Sequence, residues 1–181
     1  VTLATDAHLP YQWVNTDTDY DADPNKFPAY LRFDGVDDAL QTGNIDFTST
    51  DKMTVWAGVT KLSDATAAIL YELSNVSTAN SGTFALFAPG SGGIPDFTFV
   101  SRGTSTAIRS ATAAAGLATI YSCTSGISTD TLMPRLNQAP ITPSSTDQGT
   151  GNYGNYPLYI GARAGTALFF NYGITIVVAL I

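Results

Sequence analysis

The chain has 181 residues, of which 44% are hydrophobic and 13% are charged, and this length supports one domain with a sizeable core. Fifteen acidic residues against eight basic ones give a net charge of −7. Nucleic-acid binding needs a basic stripe that neutralises phosphates, and no two basic residues are adjacent in this sequence. No apolar run reaches the ~18–20 residues of a membrane-spanning helix. We therefore expect neither a nucleic-acid partner nor a membrane span.

The first 29 residues differ in pattern from the rest of the chain. Residues 1–29 contain three prolines and an acidic stretch between Thr16 and Asp23, which predicts an extended N-terminal arm or a long surface loop. Residues 30–181 are predicted to form a single β-sandwich domain. Because no initiator methionine is present and the sequence ends in an apolar stretch, we expect both to be parts of a longer chain.

From residue 30 onward, short β-branched and aromatic runs alternate with turn signals such as Asp34-Gly35 and Pro89-Gly-Ser-Gly-Gly93, the rhythm of an antiparallel sandwich. Ala111 to Gly116 fits a turn of helix, a strand end or a loop. About a dozen strands are predicted, at 30–34, 37–41, 52–61, 67–74, 82–88, 95–101, 106–110, 117–124, 131–137, 140–143, 157–162 and 167–180. The sequence therefore predicts an all-β fold in which two antiparallel sheets pack in a jelly-roll order.

Several segments carry a family resemblance. Leu31-Arg-Phe-Asp-Gly-Val-Asp-Asp38 is similar to the opening strand and turn of the concanavalin A-like, laminin-G-like sandwich family, the group of the lectins and glucanases. Tyr159-Ile-Gly-Ala-Arg163 and Phe169-Phe-Asn-Tyr-Gly-Ile174 resemble its closing strands, although Tyr172 interrupts the usual Phe-Asn-Gly and leaves the final turn unassigned. The segment from Gln148 to Pro157 resembles sandwich domains of bacteriophage tails and virions. This architecture hosts lectins, glycosidases, adhesion modules and virion proteins, so the resemblance implies the fold more than the function.

Three functions are consistent with this resemblance. The first is a non-enzymatic structural protein of a bacteriophage virion, in the tail, a fibre or the capsid decoration, whose lectin-like sandwich also recognises host glycans. Its partners would be other virion subunits or further copies of itself, with host-surface polysaccharide, at the surface of an extracellular particle. The alternative is a dedicated carbohydrate-binding or receptor-binding module, and the third function is a glycan-degrading enzyme.

Few residues are suited to catalysis. Glycoside hydrolysis uses two carboxyl groups about 5–9 Å apart, and Glu72 is the only glutamate. On a strand, Glu72 would simply face solvent, and the consecutive Asp37 and Asp38 would point to opposite faces. A nucleophile paired with a histidine would need His8, the only histidine, and Cys123, the only cysteine, which is expected to pack as a small buried side chain. We therefore predict no catalytic residues.

Sugar recognition combines exposed aromatic rings with amides and carboxylates. The glycine-rich stretch after residue 146 supplies both kinds of group. The alternative is that Tyr153 and Tyr156 pack this stretch onto a sheet edge. We predict six ligand-binding residues there: Asp147, Gln148, Asn152, Tyr153, Asn155 and Tyr156.

Calcium is the one cofactor that the sequence leaves open. Asp17, Asp19 and Asp21 alternate in the N-terminal stretch and match the opening of a calcium loop, which also needs glycine at its sixth position and glutamate at its twelfth. Alanine and proline occupy those positions. The alternatives are therefore a calcium site and an acidic, solvated loop. Asp147 and Asn152 form a second candidate pair.

Overall fold

The computed structural model describes residues 31–74 and 76–180, with side chains up to Asn171. The predicted N-terminal arm at 1–29 lies outside the described residues, and so do the predicted metal ligands Asp17, Asp19 and Asp21. No described residue belongs to a helix, so within these ranges no helix is long and apolar enough to span a bilayer.

Within the described ranges, twelve strands form two antiparallel sheets, as the alternation of the sequence predicts. Sheet I has the order β1-β12-β3-β8-β9-β10, and sheet II has the order β2-β11-β4-β5-β6-β7. Neighbours in each sheet are often distant in the chain, as jelly-roll topologies require. The strands are β1 (Leu31–Asp34), β2 (Leu40–Asp46), β3 (Lys52–Lys61), β4 (Ile69–Leu73), β5 (Thr83–Phe87), β6 (Asp96–Arg102), β7 (Thr106–Thr112), β8 (Ala118–Gly126), β9 (Thr131–Leu136), β10 (Ala139–Pro140), β11 (Asn155–Ile160) and β12 (Asn171–Leu180).

The largest departure from the predicted boundaries concerns β2. The predicted strand at 37–41 begins instead at Leu40, and the predicted turn at Thr42-Gly43-Asn44 lies inside β2. Asn44 pairs with Pro157 of β11. Turn-forming residues are tolerated there because β2 is an edge strand of sheet II and pairs on one side only.

The structure also defines the conformation of two segments for which the sequence allows alternatives, residues 111–116 and the segment around Asn171. Ala111 to Gly116 is a strand end and a loop, since β7 runs to Thr112. Asn171 does not belong to a turn, because it is the first residue of β12 and pairs with Asp34 of β1.

The core lies between the two sheets and follows directly from strand alternation. In β3, every second side chain from Met53 to Val59 is buried, and the intervening residues face outward. Aromatic rings from both sheets fill the centre, where Phe97 of sheet II stacks on Tyr121 of sheet I with ring centroids 5.9 Å apart. Cys123 is 1% exposed, as predicted.

The centre of the outer face of sheet II is covered by two loops. Every residue of β4 and β5 is buried, and a second apolar cluster formed by Ile69, Ala85, Phe87 and Val100 packs against Leu168. These four residues alternate with core residues, so they lie on the face turned away from sheet I. A loop at 161–170 therefore packs on the outside of sheet II.

Glu72 binds both loops that cover this face, which are the loop at 161–170 and the β4–β5 loop that contains Ser77. The Glu72 carboxylate accepts a hydrogen bond from the Ser77 backbone N–H at 2.6 Å and two from the Arg163 guanidinium, each at 3.2 Å. The expectation that Glu72 faces solvent is therefore wrong, since it is 0% exposed. The alternation rule gave the correct face of the sheet, but only the loops bury that face.

Candidate functional site

The predicted ligand-binding stretch crosses one end of the sandwich, between the two sheets. Gln148 is 0% exposed, and its side-chain amide donates to the Gly126 carbonyl at 2.9 Å. Its backbone carbonyl accepts hydrogen bonds from Gly103 and Ser105 at 3.1 and 3.0 Å. Gln148 thus joins this stretch to the β6–β7 turn of sheet II and to β8 of sheet I.

Tyr153 is also buried, with 1% of its surface exposed. Its hydroxyl lies 2.8 Å from the hydroxyls of Ser101 and Ser125, and its ring meets that of Phe84 edge-on at 5.8 Å. Burial raises the pKa of Tyr153 to about 12. Tyr153 therefore closes the end of the core, which is the packing role that the sequence allowed as the alternative to sugar stacking.

The other four predicted ligand-binding residues reach the surface but do not form one cluster with the buried pair. Asp147, Asn152 and Asn155 are exposed, and Tyr156 is half-buried. The Asp147 carboxylate accepts the N–H two residues on at 2.6 Å, and the Asn152 amide donates to a carbonyl of the β2–β3 turn at 2.7 Å. The Tyr156 hydroxyl donates to a carbonyl of the β4–β5 loop at 3.1 Å. A ligand role for these residues stays a prediction.

An acidic cluster occupies the turn between β1 and β2. Carboxylate oxygens of Asp34, Asp37 and Asp38 lie within 4.8 Å of one another, so the expectation that Asp37 and Asp38 point to opposite faces is wrong because both lie in the turn. Oxygen donors of this kind suit Ca²⁺. However, Asp38 already accepts the Asp34 N–H at 2.9 Å, and Asp34 accepts the Val36 N–H at 2.7 Å. Backbone N–H groups of the turn therefore already bind one carboxylate oxygen of Asp34 and one of Asp38.

The outer face of sheet I differs from that of sheet II. Along β3, β8 and β9 nearly all inward side chains are buried, whereas most outward ones are partly or fully exposed. We call the outward residues of these three strands the open face. Strand pairing arranges them in five rows, which are Lys52–Gly126–Thr131, Thr54–Thr124–Met133, Trp56–Ser122–Arg135, Gly58–Ile120 and Thr60–Ala118.

The first two rows form a groove of about 460 Å³, within the usual size range of small-molecule sites. The hydroxyls of Thr54 and Thr124 lie 3.1 Å apart on its floor. A second hydroxyl pair, Thr129 and Thr131, lies 2.9 Å apart. Each hydroxyl can both donate and accept hydrogen bonds. The groove is lined by Lys52, Met53, Thr54, Thr124, Ser125, Gly126, Thr129, Thr131 and Met133.

Trp56 lies in the row next to the groove and is partly exposed. Trp56 is not among the predicted ligand-binding residues, although the sequence contains the pattern that turns it outward. Strict alternation along β3 buries Val55 and Ala57 and therefore turns Trp56 outward. The neighbours of Trp56 were not readable, because Ser122 and Arg135 belong to strands that pair at long range.

No protein-family model matches this sequence, and no curated protein matches it. Solved structures are similar in fold. The CBM40 of a Ruminococcus gnavus IT-sialidase, bound to α2,3-sialyllactose, is 14% identical with a TM-score of 0.55, over 77% of this chain and 90% of that one. A heptameric SAP-like pentraxin from Limulus polyphemus is 9% identical with a TM-score of 0.59, over 82% and 73% of the two chains.

Domains LG4–5 of the mouse laminin α1 chain are 11% identical with a TM-score of 0.62, over 86% of this chain and 44% of that one. Identities this low establish the fold alone. With the two antiparallel sheets described above, they show that the chain is an all-β, concanavalin-like jelly-roll sandwich, as the sequence predicts.

Proposed function

We propose that this chain is a carbohydrate-binding module whose ligand lies on the open face. The observation that carries the proposal is the groove beside Trp56, a mainly apolar surface into which threonine hydroxyls are set. It lies on a sheet face that the described loops leave uncovered, whereas two loops cover the centre of the outer face of sheet II. A recognition site needs both access and convergent polar groups, and the open face supplies both.

The chemistry of the open face suits a sugar. Sugar rings combine an apolar face with a rim of hydroxyls, so a site for them needs an aromatic surface and nearby groups that donate and accept. Trp56 supplies the aromatic surface. Thr54 and Thr124 supply hydroxyls in the adjacent row. The fold likeness to a CBM40 bound to sialyllactose supports the same class of ligand.

The positions of the few reactive groups support binding rather than catalysis. Glu72 is buried and paired with Arg163, so its carboxylate does not reach a surface substrate. Burial raises the pKa of Cys123 to about 12, which keeps the thiol protonated at neutral pH. The outward residues of β3, β8 and β9 include no carboxylate. The paired carboxyl groups of a glycosidase are therefore missing from the open face.

Membership of a bacteriophage particle stays a prediction from the sequence resemblance. It does not compete with the proposal, because a virion protein can carry a glycan-binding module. Calcium dependence also stays a prediction, which a chelator arm in the binding experiment addresses.

A glycan array followed by calorimetry tests the proposal, with and without a chelator. Trp56→Ala is expected to weaken binding about tenfold or more, because it removes the stacking surface. Thr124→Val keeps the side-chain shape and removes one hydroxyl, so a loss of a few-fold is expected.

Tyr156→Ala is the matched control, since it removes an aromatic ring from the alternative site at 147–156. Loss of binding in Tyr156→Ala with Trp56→Ala unaffected would move the site to that stretch. Absence of binding to any glycan would overturn the proposed function.

A further inference from the structure

We infer that the open face selects an anionic oligosaccharide long enough to contact both Lys52 and Arg135. This inference rests on the proposed function and names the class of its ligand. Lys52 and Arg135 are the charged residues among the outward positions of β3, β8 and β9, and both are exposed.

The sign of this charge is opposite to that of the whole protein. The chain has a net charge of −7 and only eight basic residues, yet the open face is positive. The nearest carboxylate in sequence is that of Asp51, which accepts hydrogen bonds from the backbone N–H and hydroxyl of Ser128. The hydrogen bond from the Ser128 hydroxyl and, to a smaller extent, the Coulombic attraction of Lys52 lower the pKa of Asp51. Asp51 is therefore near Lys52, but it is bonded to the β8–β9 turn, and Lys52 remains exposed at the end of the groove.

Strand register fixes the separation of the two cations. Lys52 shares a row with Gly126 and Thr131, whereas Arg135 shares a row with Ser122 and Trp56. Arg135 is therefore four residues along and two strands across from Lys52, or about 13 Å by 10 Å at the usual strand spacings. A single sugar ring at either position reaches one cation, so contact with both requires an extended chain.

The groups between the two cations suit the middle of such a chain. The hydroxyls of Thr54 and Thr124 lie in the intervening row. Trp56 lies at the end that Arg135 occupies. The guanidinium of Arg135 donates at 3.2 Å to the Gln138 carbonyl through Nη1, which leaves other N–H groups for a carboxylate or sulfate, the anions that arginine binds in bidentate fashion.

Two cations are too few for the phosphate stripe of a nucleic-acid site, whose affinity comes from many neutralised phosphates. An acidic glycan therefore fits the open face better than an oligonucleotide. Carboxylated and sulfated sugars share the chemistry that the two cations recognise, and the experiment separates them.

Calorimetric titration at fixed salt tests the inference with four probes. They are oligogalacturonate, heparin oligosaccharide, malto-oligosaccharide and a single-stranded oligonucleotide, the glycans each as disaccharide and octasaccharide. Lys52→Gln and Arg135→Gln are each expected to weaken binding of an anionic octasaccharide about tenfold, whereas an anionic disaccharide responds to one variant only. Preference for oligogalacturonate or for heparin identifies the anion, and either supports the inference.

Arg32→Gln is the matched control, because it makes the same charge change at an exposed position on edge strand β1 of the same sheet. An equal loss in Arg32→Gln, unchanged binding in both site variants, or equal affinity for the oligonucleotide would overturn the inference. Tight malto-oligosaccharide binding that is lost in Trp56→Ala and kept in both charge variants would overturn the inference and leave the proposed function standing. Failure of all three glycans would overturn both.

Discussion

At the scale of single residues, the ion pair between Glu72 and Arg163 differs most from what the sequence predicts, which is a glutamate that faces solvent. The Glu72 side chain is 0% exposed, whereas 23% of the Arg163 side chain is exposed. Arg163 also lies over the Phe87 ring, 5.5 Å from its centroid. Loss of either partner leaves the other charge uncompensated, and the cost is greater for the more buried charge.

We therefore expect Arg163→Ala to destabilise the fold by ~3 kcal/mol, because it leaves a buried carboxylate without its counter-ion. Glu72→Gln keeps an acceptor for the Ser77 N–H and leaves the partly exposed Arg163 hydrated, so a cost of ~1–2 kcal/mol is expected. Urea unfolding measures both values. Arg32→Ala, at an exposed position, is the control and should stay within ~0.5 kcal/mol of the unsubstituted protein. An Arg163→Ala value no larger than this control would contradict the expectation.

At the scale of elements, two turn glycines with the same backbone conformation differ in the tertiary neighbours that surround them. Gly35 and Gly93 have the same backbone φ of +81°, in the left-handed region that favours glycine. A Cβ at Gly35 would lie 2.9 Å from the Cβ of Asn171, whereas a Cβ at Gly93 would have no atom within 4 Å. The Asp34-Gly35 turn signal was readable from the sequence, but the contact with Asn171 arises only because β12 pairs with β1.

This matched pair of glycines yields a second prediction. Gly93→Ala should cost ~1–2 kcal/mol, the strain of a left-handed residue with a Cβ. Gly35→Ala should cost at least ~1 kcal/mol more, because the β1–β12 pairing must also shift. Urea denaturation of the two variants gives the difference directly. Equal values would mean that Asn171 moves aside without cost.

The element scale also shows where sequence reasoning succeeded. β3 has the predicted bounds of 52–61, since its alternation is long and regular. The strand predicted at 37–41 begins three residues before β2 and ends within it, because Gly43 and Asn44 are residues typical of turns. Only the pairing of β2 with β11 shows that the strand continues through them.

At the scale of the whole molecule, the core holds several acidic groups in their neutral form. Burial raises the pKa of Cys123 from its ordinary value of 9.0 to about 12, and that of Tyr153 from 10.0 to about 12. Burial also raises the pKa of Tyr71 and Tyr121 well above the ordinary tyrosine value. In the unfolded chain these groups lose their protons at lower pH than in the fold. Stability is therefore full below about pH 9 and falls as pH rises from there towards about 12.

The alkaline loss of stability gives a third prediction. Between about pH 9 and 12, Cys123 alone contributes a slope of about 1.4 kcal/mol per pH unit. Cys123→Ala should therefore show a shallower fall of the free energy of unfolding over this range than the unsubstituted protein. Urea titrations from pH 7 to 11 measure the slope, which separates this effect from the constant cost of the lost side chain. An identical slope in Cys123→Ala would show that the thiol does not stay protonated in the fold.

The sequence by itself determined the fold class, the number of strands and the inward or outward direction of most side chains. These properties depend on the period of two along a strand and on turn residues, both of which are local. The alternation along β3 also predicts that Trp56 faces outward, but it does not identify the residues beside Trp56.

The tertiary structure decided which residues share a surface. It placed Lys52 of β3 and Arg135 of β9 on one face through β8, and it buried Gln148 and Tyr153 of the predicted site between the sheets. It also covered Glu72 with loops from two distant segments. The physical reason is that strand order arises from pairing between residues far apart in the chain, and a local periodic pattern carries no information about the partner.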